Sequence, residues 1–162
     1  MSRHFAVLVP FPGLAEIVDD WRQRTCLTKP SHGVPPHVTL LTPSGGDVAD
    51  LVEAMAPFTP FDVRFPRLDR FPGTLWLAPD PADAFVRMTE ALVARWPEYP
   101  PYGGVFARVI PHLTVAQRDF DVATEALEPL LPLQSSVESV LLLEKVQDDH
   151  WREIATVDLE VA

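Results

Sequence analysis

The chain has 162 residues, 47% of them apolar, so it can form one compact domain and bury roughly 70% of its unfolded surface. Its net charge of −10 argues against a protein that binds long nucleic acid by neutralising phosphates. Residues 119–162 carry −9 and residues 1–118 only −1, so the larger part remains compatible with an anionic substrate. The single cysteine excludes an internal disulfide, and no apolar run reaches the length of about 18 residues that spans a membrane. We therefore expect a cytoplasmic protein without membrane contact.

The first half of the chain predicts three strands separated by two helices. The strands are short apolar or alternating runs bounded by proline and glycine, and apolar residues at helical spacing mark the first helix. Asp47 is a plausible N-cap for the second helix. The predicted elements are strands at 5–9, 38–41 and 61–65 and helices at about 14–26 and 47–55.

The second half repeats this order of elements. The predicted strands are 74–77, 106–115 with an interruption at Pro111, 137–143 and 151–161, and the predicted helices are 81–96 and 121–131.

Matching offsets relate the two halves. His37 and His112 lie 75 residues apart, and the helices that follow them begin 74 residues apart. These offsets favour an internal duplication of a β-α-β-α-β unit, although short elements can also coincide by chance. We expect a duplicated, bilobal α+β domain, with lobe-forming repeats at approximately 1–72 and 73–162.

The clearest motif is a tetrapeptide that occurs twice, as His37-Val38-Thr39-Leu40 and His112-Leu113-Thr114-Val115, each directly after a proline. Residues i and i+2 of a strand point to the same face, so each histidine projects beside its threonine. Composition alone gives two such motifs with a probability of roughly 0.002. A histidine buried in a core is the alternative, but it does not explain a matched pair at a repeat offset.

Two histidines and two hydroxyl groups suit chemistry at phosphorus. In-line attack places the incoming and leaving oxygens on opposite sides, so one imidazole can accept a proton while the other donates one. The threonines can donate hydrogen bonds to non-bridging phosphoryl oxygens. A zinc site would need ligands beyond the two histidines, and Cys26 has no second cysteine, so we expect no metal.

The two motifs, their spacing, and Tyr102-Gly103-Gly104 upstream of the second resemble the two-histidine (2H) phosphoesterase superfamily, in particular its 2′–5′ RNA ligase-like and cyclic phosphodiesterase branch. The resemblance implies antiparallel sheets facing a central groove, with the histidines of both motifs catalytic, the threonines binding phosphate, and no cofactor. Members of this superfamily open 2′,3′-cyclic or related cyclic phosphates, or reversibly join RNA ends through a 2′–5′ linkage.

The sequence offers few other residues that could contact a substrate. RNA-acting members tend to carry a basic residue soon after each motif, and here Arg118 is the one candidate, with a solvated arginine as the alternative. Tyr102 or Phe106 could stack on a nucleobase or could anchor a loop.

These features predict a metal-independent phosphodiesterase acting on the 2′,3′-cyclic phosphate of an RNA 3′ end or a small nucleotide, with no obligatory protein partner. Reversible RNA end-joining and non-catalytic RNA or nucleotide binding are the alternatives.

Overall fold

The computed structural model describes residues 3–101, 109–147 and 149–161, and the strands in these ranges form one sheet. The strands are β1 (Phe5–Pro10), β2 (His37–Ser44), β3 (Phe61–Phe71), β4 (Thr74–Asp80), β5 (Leu113–Ala116), β6 (Leu133–Val137), β7 (Ser139–Lys145) and β8 (Trp151–Asp158). The helices are α1 (Ala15–Thr25), α2 (Val48–Met55), α3 (Asp83–Arg95) and α4 (Phe120–Leu127), with 3₁₀ turns at Pro12–Leu14, Pro30–His32 and Glu128–Leu130. The mixed, antiparallel α+β class is confirmed.

The sheet order is symmetric about its middle. From edge to edge the order is β6-β3-β4-β5-β2-β1-β7-β8, and every described pair is antiparallel. Strands β2 and β5 meet at the centre through the pair Val38 and Leu113, so the two expected sheets are joined into one. The predicted repeat boundary near residue 72 falls in the β3–β4 hairpin. Strand pairing continues across this hairpin, so the division into two repeats stays a prediction.

Alternating burial places two apolar clusters against β1. Phe5, Val7 and Val9 belong to the main core, whereas Leu8 packs in a smaller cluster with Val34 and β7 residues. Successive side chains of a strand point to opposite faces, so the two clusters lie on opposite sides of the sheet. Leu8 is the register partner of Thr39, so the smaller cluster shares the face of the first motif.

Local chemistry explains where several elements begin and bend. Asp47 caps α2 by accepting a hydrogen bond from the Asp50 N–H at 3.0 Å, as expected from the sequence. Strand β3 continues six residues beyond its predicted end, and its pairing with β4 is irregular between Arg64 and Arg67, next to Pro66. A proline is tolerated in a strand at such a bulge.

Further differences from the predicted elements lie in the second half of the chain. The run at 137–143 is two strands, because the chain changes partners at Glu138: β6 pairs with β3, and β7 pairs with β1 and β8. The predicted helix at 121–131 ends at Leu127 and continues as a 3₁₀ turn that contains Pro129. Within the predicted strand at 106–115, only the segment from Leu113 is strand, residues 109–112 are irregular, and the rest lies outside the described residues. No helix in the described ranges is long and apolar enough to cross a membrane.

Candidate active site

The central pair of strands gathers the motif side chains on one face. Val38 and Leu113 are fully buried partners in β2 and β5, so the neighbouring motif residues turn to the opposite face. Extending this antiparallel register by one residue sets His37 opposite Thr114 and Thr39 opposite His112. Directly opposed residues have Cβ atoms about 4.5–5.5 Å apart. The four side chains therefore form one group at the seam between the two halves of the sheet.

Both histidines are held by the same backbone device. The Nδ1–H of His37 donates to the carbonyl oxygen of Pro35 at 2.8 Å, and the Nδ1–H of His112 donates to that of Ile110 at 2.7 Å. A carbonyl oxygen can only accept, so Nδ1 must carry the proton in each ring. The other ring nitrogen, Nε2, is then the atom whose lone pair can take up a proton.

The environment favours neutral imidazoles. Burial lowers the pKa of His37 to about 4, with further lowering by the charges of Arg22 and His112, and the hydrogen bond to Pro35 opposes this effect. Burial also lowers the pKa of His112, again opposed by its backbone hydrogen bond. Both side chains are therefore proton acceptors near pH 7 before an anion binds.

A polar cavity opens beside His37. One residue that lines this cavity, Arg22, was not predicted from the sequence. Its side chain is 2% exposed, and its guanidinium donates to Asp19 at 2.7 Å and to the Val34 carbonyl oxygen at 2.8 Å. The position was detectable, because Arg22 lies four residues after Val18 on the buried stripe of α1. Thr28 and Gln117 were also missed, and they come from loops without a motif. The polar cavity is lined by Arg22, Cys26, Thr28, His37, Thr39, Thr114 and Gln117.

A second, largely apolar pocket adjoins the same histidine. His37, Thr39 and Thr28 line both spaces. The indole ring of Trp151 forms part of this apolar pocket and packs edge-on against His4 at 5.5 Å between ring centroids. The remaining lining residues are Ala6, Leu8, Val34, Thr42 and Leu143. A flat apolar group could therefore bind within reach of His37.

The surroundings of His112 are aromatic instead. Its ring packs edge-on against Phe71 at 5.1 Å and against Trp76 at 5.7 Å between centroids. Trp76, on β4, is also the register partner of Thr114 on β5. The Trp76 indole N–H is buried without a hydrogen-bond partner in the described part of the chain. The two halves of the site thus match in backbone geometry and differ in chemistry.

The substrate-contacting residues predicted outside the two motifs are not found beside the motif histidines and threonines among the described residues. The side chain of Arg118 is 70% exposed, and its guanidinium donates to the Arg24 carbonyl at 2.6 Å, near the end of α1. Tyr102 and Phe106 lie outside the described residues. Across the described ranges, no three His, Cys, Asp or Glu side chains are grouped so that they could hold a metal ion.

Comparison with known proteins identifies relatives of this architecture. Solved structures that share its fold include Escherichia coli LigT complexed with NADP+ (17% identity, TM-score 0.63, 98% of each chain covered). LigT complexed with 3′-AMP matches at 12% identity and a TM-score of 0.63, covering 98% of this chain and 99% of that one. A structure described as a phosphoesterase matches at 14% identity and a TM-score of 0.62, covering 99% of this chain and 100% of that one. No curated protein sequence matches significantly. A family model of the 2′-5′ RNA ligase superfamily matches residues 10–149, and the chain belongs to that superfamily.

Proposed function

We propose that the protein is a metal-independent phosphodiesterase that opens 2′,3′-cyclic phosphates by acid–base catalysis with His37 and His112. The observation that carries this proposal is the pair of histidines clamped through Nδ1, at the point where β2 and β5 meet through Val38 and Leu113. The clamps fix the proton on Nδ1, so both Nε2 atoms have the orientation and tautomer that proton transfer requires. The expectation of a cytoplasmic location stays a prediction.

The reaction assigns each side chain a role. His37 accepts a proton from water while the water oxygen forms a bond to phosphorus, and the bond from phosphorus to one ribose oxygen breaks. His112 donates a proton to that ribose oxygen, which leaves as a hydroxyl group. Thr39 and Thr114 donate hydrogen bonds to the non-bridging phosphoryl oxygens. The products are a phosphomonoester and a free hydroxyl, so atoms and charge balance.

The electrostatics support His37 as the base. Burial lowers its pKa to about 4, with a smaller contribution from Arg22, so the ring is neutral over most of the pH range. The acid must be protonated, although burial lowers the pKa of His112 as well. A bound phosphodiester carries a negative charge, and an opposite charge nearby raises the pKa of an imidazole. Substrate binding therefore promotes the protonated form that His112 needs.

The surfaces around the histidines favour a nucleotide or an RNA 3′ end. The apolar pocket with Trp151 lies beside His37, and the partly exposed ring of Phe71 lies beside His112 and covers the buried Trp76. Aromatic faces of this kind can stack on a nucleobase. LigT, which shares the fold, is described in complexes with 3′-AMP and with NADP+. The nearly neutral first 118 residues favour a short substrate over a long strand.

The decisive experiment is a turnover assay with 2′,3′-cyclic nucleotides and cyclic-ended oligoribonucleotides in excess chelator. The wild type should open them, and His37→Asn and His112→Asn should each lose about 10²-fold or more in kcat, with nucleotide binding retained. Asparagine keeps a side-chain N–H near the position of Nδ1, so the backbone clamp is conserved. His150→Asn replaces an exposed histidine and serves as the control.

The same assay separates the alternatives. Joined RNA ends without hydrolysis would instead indicate the ligase reaction. RNA binding with steep salt dependence and no turnover would indicate a binding protein. Either result would contradict the proposed phosphodiesterase.

A further inference from the structure

The side chain of Arg22 is buried beside the candidate site although arginine is rarely buried without partners. One guanidinium nitrogen, Nη1, donates to Asp19 at 2.7 Å. The other, Nη2, donates to the carbonyl oxygens of Val34 at 2.8 Å and Thr28 at 3.4 Å. Arg22 therefore links helix α1 to both ends of the segment 28–34.

This segment leads directly into the first motif. Val34 is followed by Pro35, whose carbonyl oxygen accepts the Nδ1–H of His37. The Val34 carbonyl that Arg22 holds is thus one residue away from the carbonyl that orients the imidazole. A shift of segment 28–34 would also move Pro35, whose carbonyl oxygen is the acceptor that orients the His37 ring.

We propose that Arg22 is a positioning residue of the candidate site, which fixes the segment leading into His37 and presents a positive charge to the polar cavity where His37 accepts a proton. This inference rests on the proposed function. Its specific content is that the cation of Arg22 favours the neutral form of His37, which the base requires.

The charges around His37 are consistent with this role. The titratable or charged side chains lining the polar cavity are Arg22 from α1, Cys26 after α1 and His37 itself, and His112 acts on His37 from the neighbouring strand. Burial raises the pKa of the Cys26 thiol, so Cys26 brings no negative charge to the cavity. Asp19, the partner of Arg22, is 28% exposed and lies on the more solvated side of the pair. The positive end of the pair therefore faces His37.

The direct test is an NMR titration of the histidine ring protons in Arg22→Gln, Arg22→Lys and wild type. Glutamine removes the charge, so the pKa of His37 should rise by about one pH unit, while lysine should keep it near the wild-type value. Arg24→Gln is the matched control, because it removes the same charge from an exposed position on the same helix. The pKa of His37 should not change in this control.

Kinetics supply the second readout. In Arg22→Gln the acid limb of the kcat/KM profile should move to higher pH together with the pKa of His37. Arg22→Lys should retain the limb but lose kcat, since an ammonium group cannot hold Asp19, Val34 and Thr28 in the same planar geometry. A purely structural arginine would lower stability in both variants without moving the limb.

Failure of this inference and failure of the proposed function have different signatures. An unchanged pKa of His37 in folded Arg22→Gln would overturn the role of Arg22 while leaving turnover as evidence for the phosphodiesterase. Absence of turnover in the wild type would overturn the function, and the titration would still decide whether Arg22 acts on His37. If Arg22→Gln does not fold, Asp19→Asn keeps the cation and removes its partner. The pKa of His37 should then fall, and a rise would contradict the proposal.

Discussion

The proline before each motif histidine sets the geometry of the candidate site at the scale of single residues. A residue that precedes proline is restricted to extended conformations. Its carbonyl oxygen therefore has a defined direction. In both motifs this oxygen, on Pro35 or on Ile110, accepts a hydrogen bond from the Nδ1–H of the histidine two residues later. Two local sequences thus produce the same tautomer through a backbone carbonyl oxygen.

The pKa values of the two histidines predict the pH dependence of catalysis. His37 must be neutral and His112 protonated, and both pKa values lie below the ordinary 6.5 in the free protein. The kcat/KM profile should therefore be a bell whose maximum lies below pH 6.5 and whose limbs belong to the coupled pair. In the complex, the anionic phosphate raises both values, so the kcat profile should be displaced to higher pH.

Steady-state kinetics between pH 3 and pH 10 on a 2′,3′-cyclic nucleotide test this dependence. Circular dichroism at each pH is the control that separates titration from unfolding. A rate that increases continuously to pH 10 would contradict the two-histidine mechanism.

At the scale of elements, the turn after β2 connects the motif strand to two helices. The hydroxyl of Thr89 on α3 donates to the Leu40 carbonyl of β2 at 2.8 Å. At the end of β2, Gly45 packs against the ring of Trp96, whose indole N–H donates to Asp50 on α2 at 3.3 Å. Helix α3 and its C-cap residue Trp96 therefore contact β2 at Leu40 and the chain at Gly45 just after it, and so help to hold the strand that carries the first motif.

Gly45→Ala should destabilise the protein through this contact. A Cβ atom at position 45 would overlap the indole ring of Trp96, which is 5% exposed and has little room to move. Overpacking of this kind costs about 1–3 kcal/mol. Gly13→Ala is the control, because a Cβ atom there meets nothing within 4 Å. Thermal unfolding of both variants tests the contact, and equal melting temperatures would show that Trp96 can move aside.

The sequence predicts the motif geometry because it depends on strand alternation alone. Val38 and Leu113 are buried and the flanking histidines and threonines face the other way, as a two-residue period requires. The boundary at Glu138 was not predictable in the same way. Apolar residues lie on both sides of Glu138 and Ser139, and the chain changes strand partners there without a glycine or proline.

Arg22 shows a different limit of sequence reasoning. Its position on the buried stripe of α1 is visible from spacing, but an arginine at the edge of a stripe is usually solvated. Its burial depends on two carbonyl oxygens and Asp19 that come together only in the folded chain. Long-range acceptors of this kind have no local sequence signal.

At the scale of the whole molecule, the two candidate repeats exchange strands on either side of the site. Strand β3 follows β2 in sequence but pairs with β4 and β6, whereas β7 pairs with β1 and β8. Each side of the symmetric sheet therefore contains strands from both repeats. The candidate repeats at 1–72 and 73–162 are thus interlocked, and the central pair β2–β5 has neighbours on both sides that hold its register.

Glu144 connects three strands of one side of this sheet and predicts how acid affects the fold. Its side chain, 10% exposed on β7, binds Arg3 just before β1 and Arg152 on β8. The hydrogen bonds from Arg3 and Arg152 lower the pKa of Glu144 to about 2. Because this value lies below the 4.5 of an ordinary glutamate, the stabilisation is complete above pH 4.5 and is lost as the pH falls through about 2.

Replacing this carboxylate should therefore destabilise the protein in a pH-dependent way. Glu144→Gln should melt a few degrees below the wild type at pH 7, and the difference should shrink between pH 4.5 and pH 2, where the wild-type carboxylate also loses its charge. Thermal unfolding monitored by circular dichroism measures both quantities, with Glu125→Gln on the exposed surface of α4 as the matched control. The burial of His37 affects stability over a different pH range. Because its ring stays neutral in the folded protein, the fold loses stability as the pH falls from 6.5 to about 4. This loss is the same in the wild type and in Glu144→Gln, so it cancels when their melting temperatures are compared. A difference in melting temperature that is independent of pH would mean that Glu144 contributes by packing rather than by charge.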